Sequence, residues 1–368
     1  MNKAIQFLKR EPVLCIAALC ACITMLFVRP SFAYLSYIDF RTLGLLFSLM
    51  SVVLGLESCG LFDRMAYGLL TRCKHTRAVM LALVLLPFFA SMLITNDVAL
   101  ITFVPFALLV LRLVDRESLL IRTIVLQTIA ANIGSMATPV GNPQNLFLFS
   151  YYQLPAAGFF GAVLPVAGVS LLGLCAACCC MRNTAIHIQL QEKPALHHPK
   201  HLILYLALFL LCLLSVFRVL PVALLVAAIL ATLIAIDPKL LRRVDYGLLL
   251  TFICFFIFAG NLGKIEPIRN ALTAWLAQDA LLSSALASQV ISNVPAAVLL
   301  AGFTANWRGL LLGVNIGGLG TPVASLASLI AMKQYMRAPH ARPLRYLGSF
   351  LLYNLAALIL LLLFSLLA

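Results

Sequence analysis

The chain has 368 residues, of which 63% are hydrophobic and 10% are charged. A soluble domain needs about a quarter charged residues, so this composition excludes a water-soluble protein and predicts an all-α polytopic membrane protein whose partner is the lipid bilayer. The net charge of +14 comes from basic residues in loops between apolar segments, where the positive-inside rule places them, and this distribution argues against a nucleic-acid partner.

The first apolar run, residues 13–28, follows a basic segment at residues 3–10 and precedes the small-residue sequence at 31–33. Cleaved signal peptides share this pattern. The run has a counterpart at residues 222–236, however, and a first membrane span with a cytoplasmic N-terminus is therefore the favoured interpretation.

The next notable segment, residues 78–111, is apolar except for a polar break at Thr95, Asn96 and Asp97. It lies between two basic segments that we assign to the cytoplasm, the predicted loops 61–77 and 112–122. Each arm has about 15 residues, which is short for a membrane crossing of roughly 20. The pattern predicts a re-entrant hairpin that enters from the cytoplasm and returns to it.

Residues 122–150 are too long for one span and are interrupted by glycine and proline, notably in Thr138-Pro139 and Gly141-Asn142-Pro143. Proline removes a backbone donor and glycine weakens a helix. This segment is therefore predicted to be a broken transmembrane helix.

The same landmarks recur later in the same order. Asp245 repeats the context of Asp39, residues 292–293 repeat the first hairpin tip, and residues 315–323 repeat residues 132–140. The predicted organisation comprises a first repeat (1–184), a cytoplasmic loop with a linking helix (185–218), and a second repeat (219–368) with a hairpin at 280–307 and a broken helix at 309–332. The linking helix inverts the second repeat, which gives about nine full crossings plus two hairpins and a C-terminus outside.

The polar residues at the four breaks are the candidate binding residues. Irregular backbone survives at membrane depth only where protein buries it or where it lines a wet cavity, and such breaks meet near the midplane of inverted-repeat transporters. The candidates are Thr95, Asn96, Asp97, Asn132, Thr138, Asn142 and Asn145 from the first repeat, and Ser292, Asn293, Asn315, Thr321 and Ser325 from the second. Gln144 and Ser328 lie at the same breaks. The alternative is that each side chain only makes a bond between helices.

Asp97 differs from the other candidates because a carboxylate at membrane depth is costly unless it is paired, protonated or bound to a cation. Val294 occupies the matching position in the second repeat. Two interpretations stay open, a role with a coupling ion or proton and a purely structural aspartate. No Lys or Arg falls in the four breaks, so an anion there is expected to bind amides, hydroxyls and helix dipoles.

Enzyme chemistry is disfavoured. The sequence lacks the H-E-x-x-H metalloprotease motif, and no paired carboxylates occur at the breaks. The cysteine cluster at residues 175–180 is interpreted as small apolar thiols. No cofactor is expected apart from sodium or a proton as the coupling ion.

With these motifs in place, the chain resembles the ion transporter superfamily, which includes arsenite permeases, NhaD-type sodium/proton antiporters, citrate carriers and divalent anion/sodium symporters. The resemblance covers essentially the whole chain and rests on residues 95–105, 132–145, 292–297 and 315–328. It implies a scaffold of long helices around a transport domain of hairpins and broken helices, in many relatives a homodimer that moves as an elevator.

In the dicarboxylate branch each hairpin tip resembles Ser-Asn-Thr, which binds sodium and a substrate carboxylate. The resemblance therefore implies sodium at the Asn96 and Asn293 tips, although Asp97 and Val294 replace the final Thr. The Asn-Asp tip and the Asn-x-Pro tip are more similar to the arsenite permeases.

The predicted function is secondary active transport of a small anion or oxyanion, carboxylate or arsenite-like, coupled to sodium or protons in a bacterial plasma membrane. The alternatives are a cation/proton antiporter that uses Asp97 and, from another class, a channel or an intramembrane enzyme.

Overall fold

A computed structural model describes residues 11–186 and 195–367, and this part of the chain is helical, with no extended strand. The basic residues of segment 1–10 and Lys193 of the predicted cytoplasmic loop lie outside the described residues. The helices are α1 (Pro12–Met25), α2 (Phe40–Ser58), α3 (Leu61–Leu70), α4 (Thr76–Ala90), α5 (Asn96–Leu113), α6 (Leu120–Met136), α7 (Pro143–Tyr151), α8 (Ala156–Cys179), α9 (Pro199–Val216), α10 (Val222–Ile236), α11 (Pro238–Leu241), α12 (Tyr246–Lys264), α13 (Glu266–Gln278), α14 (Ala280–Ile291), α15 (Asn293–Leu300), α16 (Trp307–Ile316), α17 (Leu326–Met336) and α18 (Pro343–Leu367).

Seven helical segments of the described chain are long and apolar enough to cross a membrane. They are Phe40–Ser58, Asn96–Leu113, Glu117–Met136, Ala156–Cys179, Pro199–Val216, Pro238–Lys264 and Pro343–Leu367. Large apolar side chains on their outer faces are exposed, such as Leu172 at 71% and Leu352 at 68%, which suits lipid and not water. The all-α polytopic class is thus confirmed. The number of crossings and the inversion of the repeats stay predictions.

Two segments differ from the sequence prediction. Residues 61–70, predicted as part of a loop, form helix α3, because Phe62, Ala66 and Leu70 recur at helical spacing and are buried on one side. The second arm of the first predicted hairpin, α5, has 18 residues and is one of the seven segments of spanning length. The many charged residues of segment 61–77 led to the prediction of a loop where helix α3 forms. The predicted arm length of about 15 residues was shorter than the 18 residues of α5.

Helix α6 forms the centre of the fold. Almost all of its residues are buried, and α4, α5, α8, α17 and α18 pack around it. It ends at Met136, and α7 begins at Pro143 after Asn142, whose Oδ1 accepts a hydrogen bond from the Asn145 backbone N–H at 2.9 Å. Proline suits this first helical position because its missing donor is not needed there. The predicted interruption at Thr138 is present.

The second predicted interruption, at Thr321, is present as well. Helix α16 ends at Ile316 and α17 begins at Leu326, with only a short 3-10 turn, Pro322–Ala324, between them. Packing also recurs between the halves: α1 contacts α12 while α2 contacts α10, and α5 contacts α17 while α15 contacts α7. Helices in corresponding positions therefore exchange partners across the molecule.

Glycine permits a close approach between helices at both interruptions. A Cβ at Gly134 would lie 2.0 Å from the Phe88 carbonyl oxygen in α4, and one at Gly317 would lie 2.8 Å from the Ala285 Cα in α14. Phe88 and Ala285 each stand eight residues before their tip asparagine. Both contacts leave no room for a side chain, so the broken helices touch the preceding helices through backbone.

The substitution Gly134→Ala is expected to lower the melting temperature of the purified protein, because overpacking against a fixed backbone atom costs about 1–3 kcal/mol. The measurement is thermal unfolding in detergent. Gly68→Ala in α3 is the matched control, since nothing lies within 4 Å of the added methyl. A Gly134→Ala protein that melts at or above the wild-type temperature would contradict this packing argument.

Candidate functional site

The two predicted tips share a local structure. Asn96 begins α5 and Asn293 begins α15, and each side-chain Oδ1 accepts a hydrogen bond from the next backbone N–H, Asp97 at 3.0 Å and Val294 at 2.9 Å. Both asparagines are buried. The hydrogen bond to the neighbouring backbone therefore fixes the orientation of each asparagine side chain, which is buried in the protein.

The tips also differ in backbone strain. Ser292, before Asn293, has a φ of 73°, a conformation that non-glycine residues adopt at a cost of about 1–3 kcal/mol and mostly at functional sites. Its hydroxyl donates to the Ala324 carbonyl at 3.3 Å. Thr95, at the corresponding place, has ordinary extended geometry and caps α5. The second tip is thus held in a strained form by the second interruption.

The threonines of the interruptions bond each break to the backbone shortly before a tip. The Thr138 hydroxyl donates to the Met92 carbonyl, and the Thr321 hydroxyl donates to the Gln289 carbonyl at 3.2 Å. Met92 and Gln289 each lie four residues before their tip asparagine. Both predicted threonines therefore have a structural role.

A network of buried asparagines joins the first tip to both interruptions. Asn132 Oδ1 accepts hydrogen bonds from Asn96 Nδ2 at 2.9 Å and from the Ser325 hydroxyl at 3.0 Å. Ser325 belongs to the second half of the chain, 193 residues away. Asn132, in the first broken helix, thus joins this helix to the first tip and to the second interruption.

A second set of bonds completes the asparagine network. Asn142 Nδ2 donates to Asn315 Oδ1 at 3.1 Å, and Asn315 Nδ2 donates to Asn145 Oδ1 at 2.6 Å. In the two matching motifs, Asn142 corresponds to Ser325 and Asn132 to Asn315. The contacts between the interruptions are therefore reciprocal, since the same two positions meet in both directions.

Three polar atoms beside this network have no hydrogen-bond partner within the described residues. They are Asn132 Nδ2, Gln144 Oε1 and Ser328 Oγ, on residues that are at most 3% exposed. Buried polar groups are normally paired, so such atoms indicate a place for a ligand, an ion or water. Gln144 and Ser328 stand at the breaks in sequence but were not among the chosen site residues, because only burial sets them apart.

The first cavity, of about 460 Å³, lies beside the candidate site. Thr95, Asp97 and Asn142 line it, and Asp245 and Lys333 are among the charged residues that line it as well. Asp97 is half-buried, and its carboxylate is repelled by the like charge of Asp245. Asp97 therefore lines a cavity with charged walls, and Asn142 of the asparagine network lines the same cavity.

The second cavity, of about 570 Å³, lies at the other end of α12. The N-terminal residues of this helix line the first cavity and its C-terminal residues line the second. Phe147 and Phe256 line the second cavity, and the Phe147 ring contacts those of Phe252 and Phe256, with centroids 6.5 and 5.6 Å apart. All three rings are buried, and we interpret them as an apolar barrier between the two cavities, called here the Phe147 barrier.

The second tip is not hydrogen-bonded to the asparagine network. Asn293 packs against Gly318, and the bonds of the described residues do not link it to Asn132 or Asn315. The part of the chain that the structure describes holds no group of three or more His, Cys, Asp or Glu side chains suited to a metal ion. Any cation at these tips would have amide, hydroxyl and carbonyl oxygens as ligands.

Comparison with known proteins gives matches over most of the chain. The sequence profile described as citrate transporter matches residues 5–307. An uncharacterized transporter of Methanocaldococcus jannaschii is 35% identical over 298 residues, which are 80% of this chain and 81% of that protein. The inner membrane protein YbiR of Escherichia coli is 32% identical over 301 residues, 80% of each chain.

A shorter match covers part of a plant protein. The silicon efflux transporter of Oryza sativa is 35% identical over 149 residues, which are 40% of this chain and 30% of that protein.

Proposed function

Because the chain belongs to the citrate transporter family, whose members are membrane transporters and not enzymes, we propose that it is a secondary active transporter of a small anion or oxyanion, coupled to sodium or protons. The observation that carries this proposal is the reciprocal bonding between the two interruptions, in which Asn132 meets Ser325 and Asn315 meets Asn142. Reciprocal contacts at two helix breaks suit a binding site built between repeats.

The chemistry of the site supports a small oxygen-rich solute. Asn132 Nδ2 is a buried donor in need of an acceptor, and Gln144 Oε1 is a buried acceptor in need of a donor. A carboxylate or an arsenite-like oxyacid offers oxygens for the first, and a protonated oxyacid offers hydroxyls for the second. The silicon efflux relative favours the oxyacid as the class to test beside carboxylates.

The proposed architecture follows from the repeat. Residues 1–184 and 219–368 form two inverted repeats, joined by residues 185–218, with the predicted hairpins and broken helices as a transport domain. The exchange of partners between α1–α12 and α2–α10 supports a two-fold relation of this kind. We further propose an elevator motion in a homodimer, in a bacterial plasma membrane with the N-terminus in the cytoplasm and the C-terminus outside.

Sodium binding is proposed at the two tips. The support is that the side chains of Asn96 and Asn293 make the same hydrogen bond, in which Oδ1 accepts from the following backbone N–H. Helix starts at both tips are not suited to a cation by themselves, so carbonyl oxygens of the preceding residues and the interruptions are the proposed ligands.

The test is transport by the purified protein in proteoliposomes. Citrate, arsenite and silicic acid are offered separately under an imposed inward sodium gradient, an inward proton gradient or neither. We expect saturable accumulation of at least one solute above its equilibrium level, and only with a gradient. Unsaturable passage without a gradient would indicate a channel, and failure of all three solutes to accumulate would contradict the proposed substrate class.

The second candidate is a cation/proton antiporter, favoured by Asp97 in the first cavity. Such a protein would exchange sodium for protons with no anion present. Sodium efflux driven by a proton gradient in anion-substrate-free vesicles would support this candidate and would overturn anion transport as the primary function.

A further inference from the structure

The second cavity contains donors that the asparagine network does not use. Arg41, near the start of α2, and Tyr37, just before that helix, both line it. Arg41 Nη2 donates to the Ser215 carbonyl at 2.9 Å, but its buried Nε and the buried Tyr37 hydroxyl have no hydrogen-bond partner in the described chain. Two side chains that line one cavity therefore each carry a buried donor without an acceptor.

The carboxylate closest in sequence to Arg41 is already engaged. Asp39 also lines the cavity and attracts Arg41. Its Oδ1 accepts from the Thr42 backbone N–H at 3.0 Å, and its Oδ2 accepts from the Thr42 hydroxyl. Both oxygens of Asp39 thus cap α2, and the salt bridges of the described residues do not include an Asp39–Arg41 pair.

Two further cations stand beside this group. The Arg218 guanidinium, which donates to the Gln153 carbonyl at 3.1 Å, repels Arg41 electrostatically. Lys264 Nζ lies 5.7 Å from the centroid of the Tyr37 ring. Arg218 and Lys264 do not line the cavity themselves, but both contact residues that do, Gln153 and Tyr37, and their positive charge adds to that of Arg41 in favouring an anion there.

We propose that the second cavity is a binding site for a small oxyanion, with Arg41 as its charged donor and Tyr37 as its hydroxyl donor. A guanidinium matches the geometry of a carboxylate or a phosphate-like oxyanion. The proposal deepens the proposed function, on which it rests: the site lies beyond the Phe147 barrier from the first cavity and holds the transported anion before or after its passage.

The test is thermal unfolding of the full-length protein in detergent with citrate or inorganic phosphate, against sodium chloride of equal ionic strength. We expect either anion to raise the wild-type melting temperature, since ligands of the native state stabilise it. Arg41→Gln should remove the part of the shift that this site contributes and leave only what the central site gives, and Tyr37→Phe should raise the anion concentration needed for that part about threefold to tenfold. Tyr37→Phe keeps the ring that packs on Gly260 and remains informative if Arg41→Gln does not fold.

Arg269→Gln is the matched control, because it removes one charge from α13 outside the cavity; it should keep the full shift. Asn132→Ala separates this site from the central one. A shift that Arg41→Gln reduces and that persists in part in Asn132→Ala supports the proposal, even if the proteoliposomes show no transport. An undiminished shift in both Arg41→Gln and Tyr37→Phe, or no shift in the wild type, overturns it.

Discussion

Replacing Asn132 with alanine is expected to lower the initial rate of substrate uptake about 100-fold. The substitution removes the acceptor shared by Asn96 and Ser325 as well as the unpartnered donor Nδ2. Loss of two hydrogen bonds at about 1.4 kcal/mol each corresponds to a factor of about 100. The measurement is the initial rate in proteoliposomes, normalised to the amount of folded protein.

Asn354→Ala provides the matched control for this prediction. Asn354 is also fully buried, but it lies in α18 and its Nδ2 donates only to the Phe350 carbonyl of its own helix, at 3.0 Å. It should lose stability without a comparable loss of uptake rate. If Asn132→Ala transports at the wild-type rate, the asparagine network has only a structural role and the candidate site is wrong.

The second large effect is expected for Asp97→Asn, which should abolish gradient-driven accumulation and leave exchange of labelled for unlabelled substrate within about threefold of wild type. Asparagine keeps the shape of the side chain, but it neither takes up a proton nor neutralises a cation. Asp97 lines the first cavity and has an apolar counterpart, Val294, at the second tip. One coupling group for the pair of repeats is therefore expected.

Accumulation and exchange are measured in the same vesicle preparation, so that loss of folding affects both. Asp63→Asn is the control, because Asp63 is exposed on α3 and distant in sequence from the breaks; it should retain full accumulation. Accumulation by Asp97→Asn with unchanged sodium and pH dependence would remove the coupling role and, with it, the antiporter alternative.

Some residues of these predictions line the two cavities, which the Phe147 barrier separates. Asp97 and Asn142 face the first cavity, Arg41 faces the second, and the barrier rings lie on α7 and α12. Helix α7 follows the first interruption, whereas α12 is a long helix that we assign to the proposed scaffold. In the proposed elevator motion, a relative displacement of these two helices would transfer access from one cavity to the other.

Much of the fold was predictable because its causes are local. Proline and glycine end α6 near Thr138, and glycine and proline end α16 near Thr321, wherever those helices pack. Apolar length alone identified most spans. Helix α3 was missed because its charges resembled a loop, although the spacing of Phe62, Ala66 and Leu70 was already helical.

The sequence by itself determined where the long apolar segments break and which polar residues stand there, since backbone propensity acts within a few residues. Only the tertiary structure decided which of them meet: Asn142 bonds to Asn315 across 173 residues, Asn293 stays outside the asparagine network, and Gln144 and Ser328 are buried with unpaired atoms. Contacts at such separation depend on how whole helices pack, and no local pattern encodes that geometry.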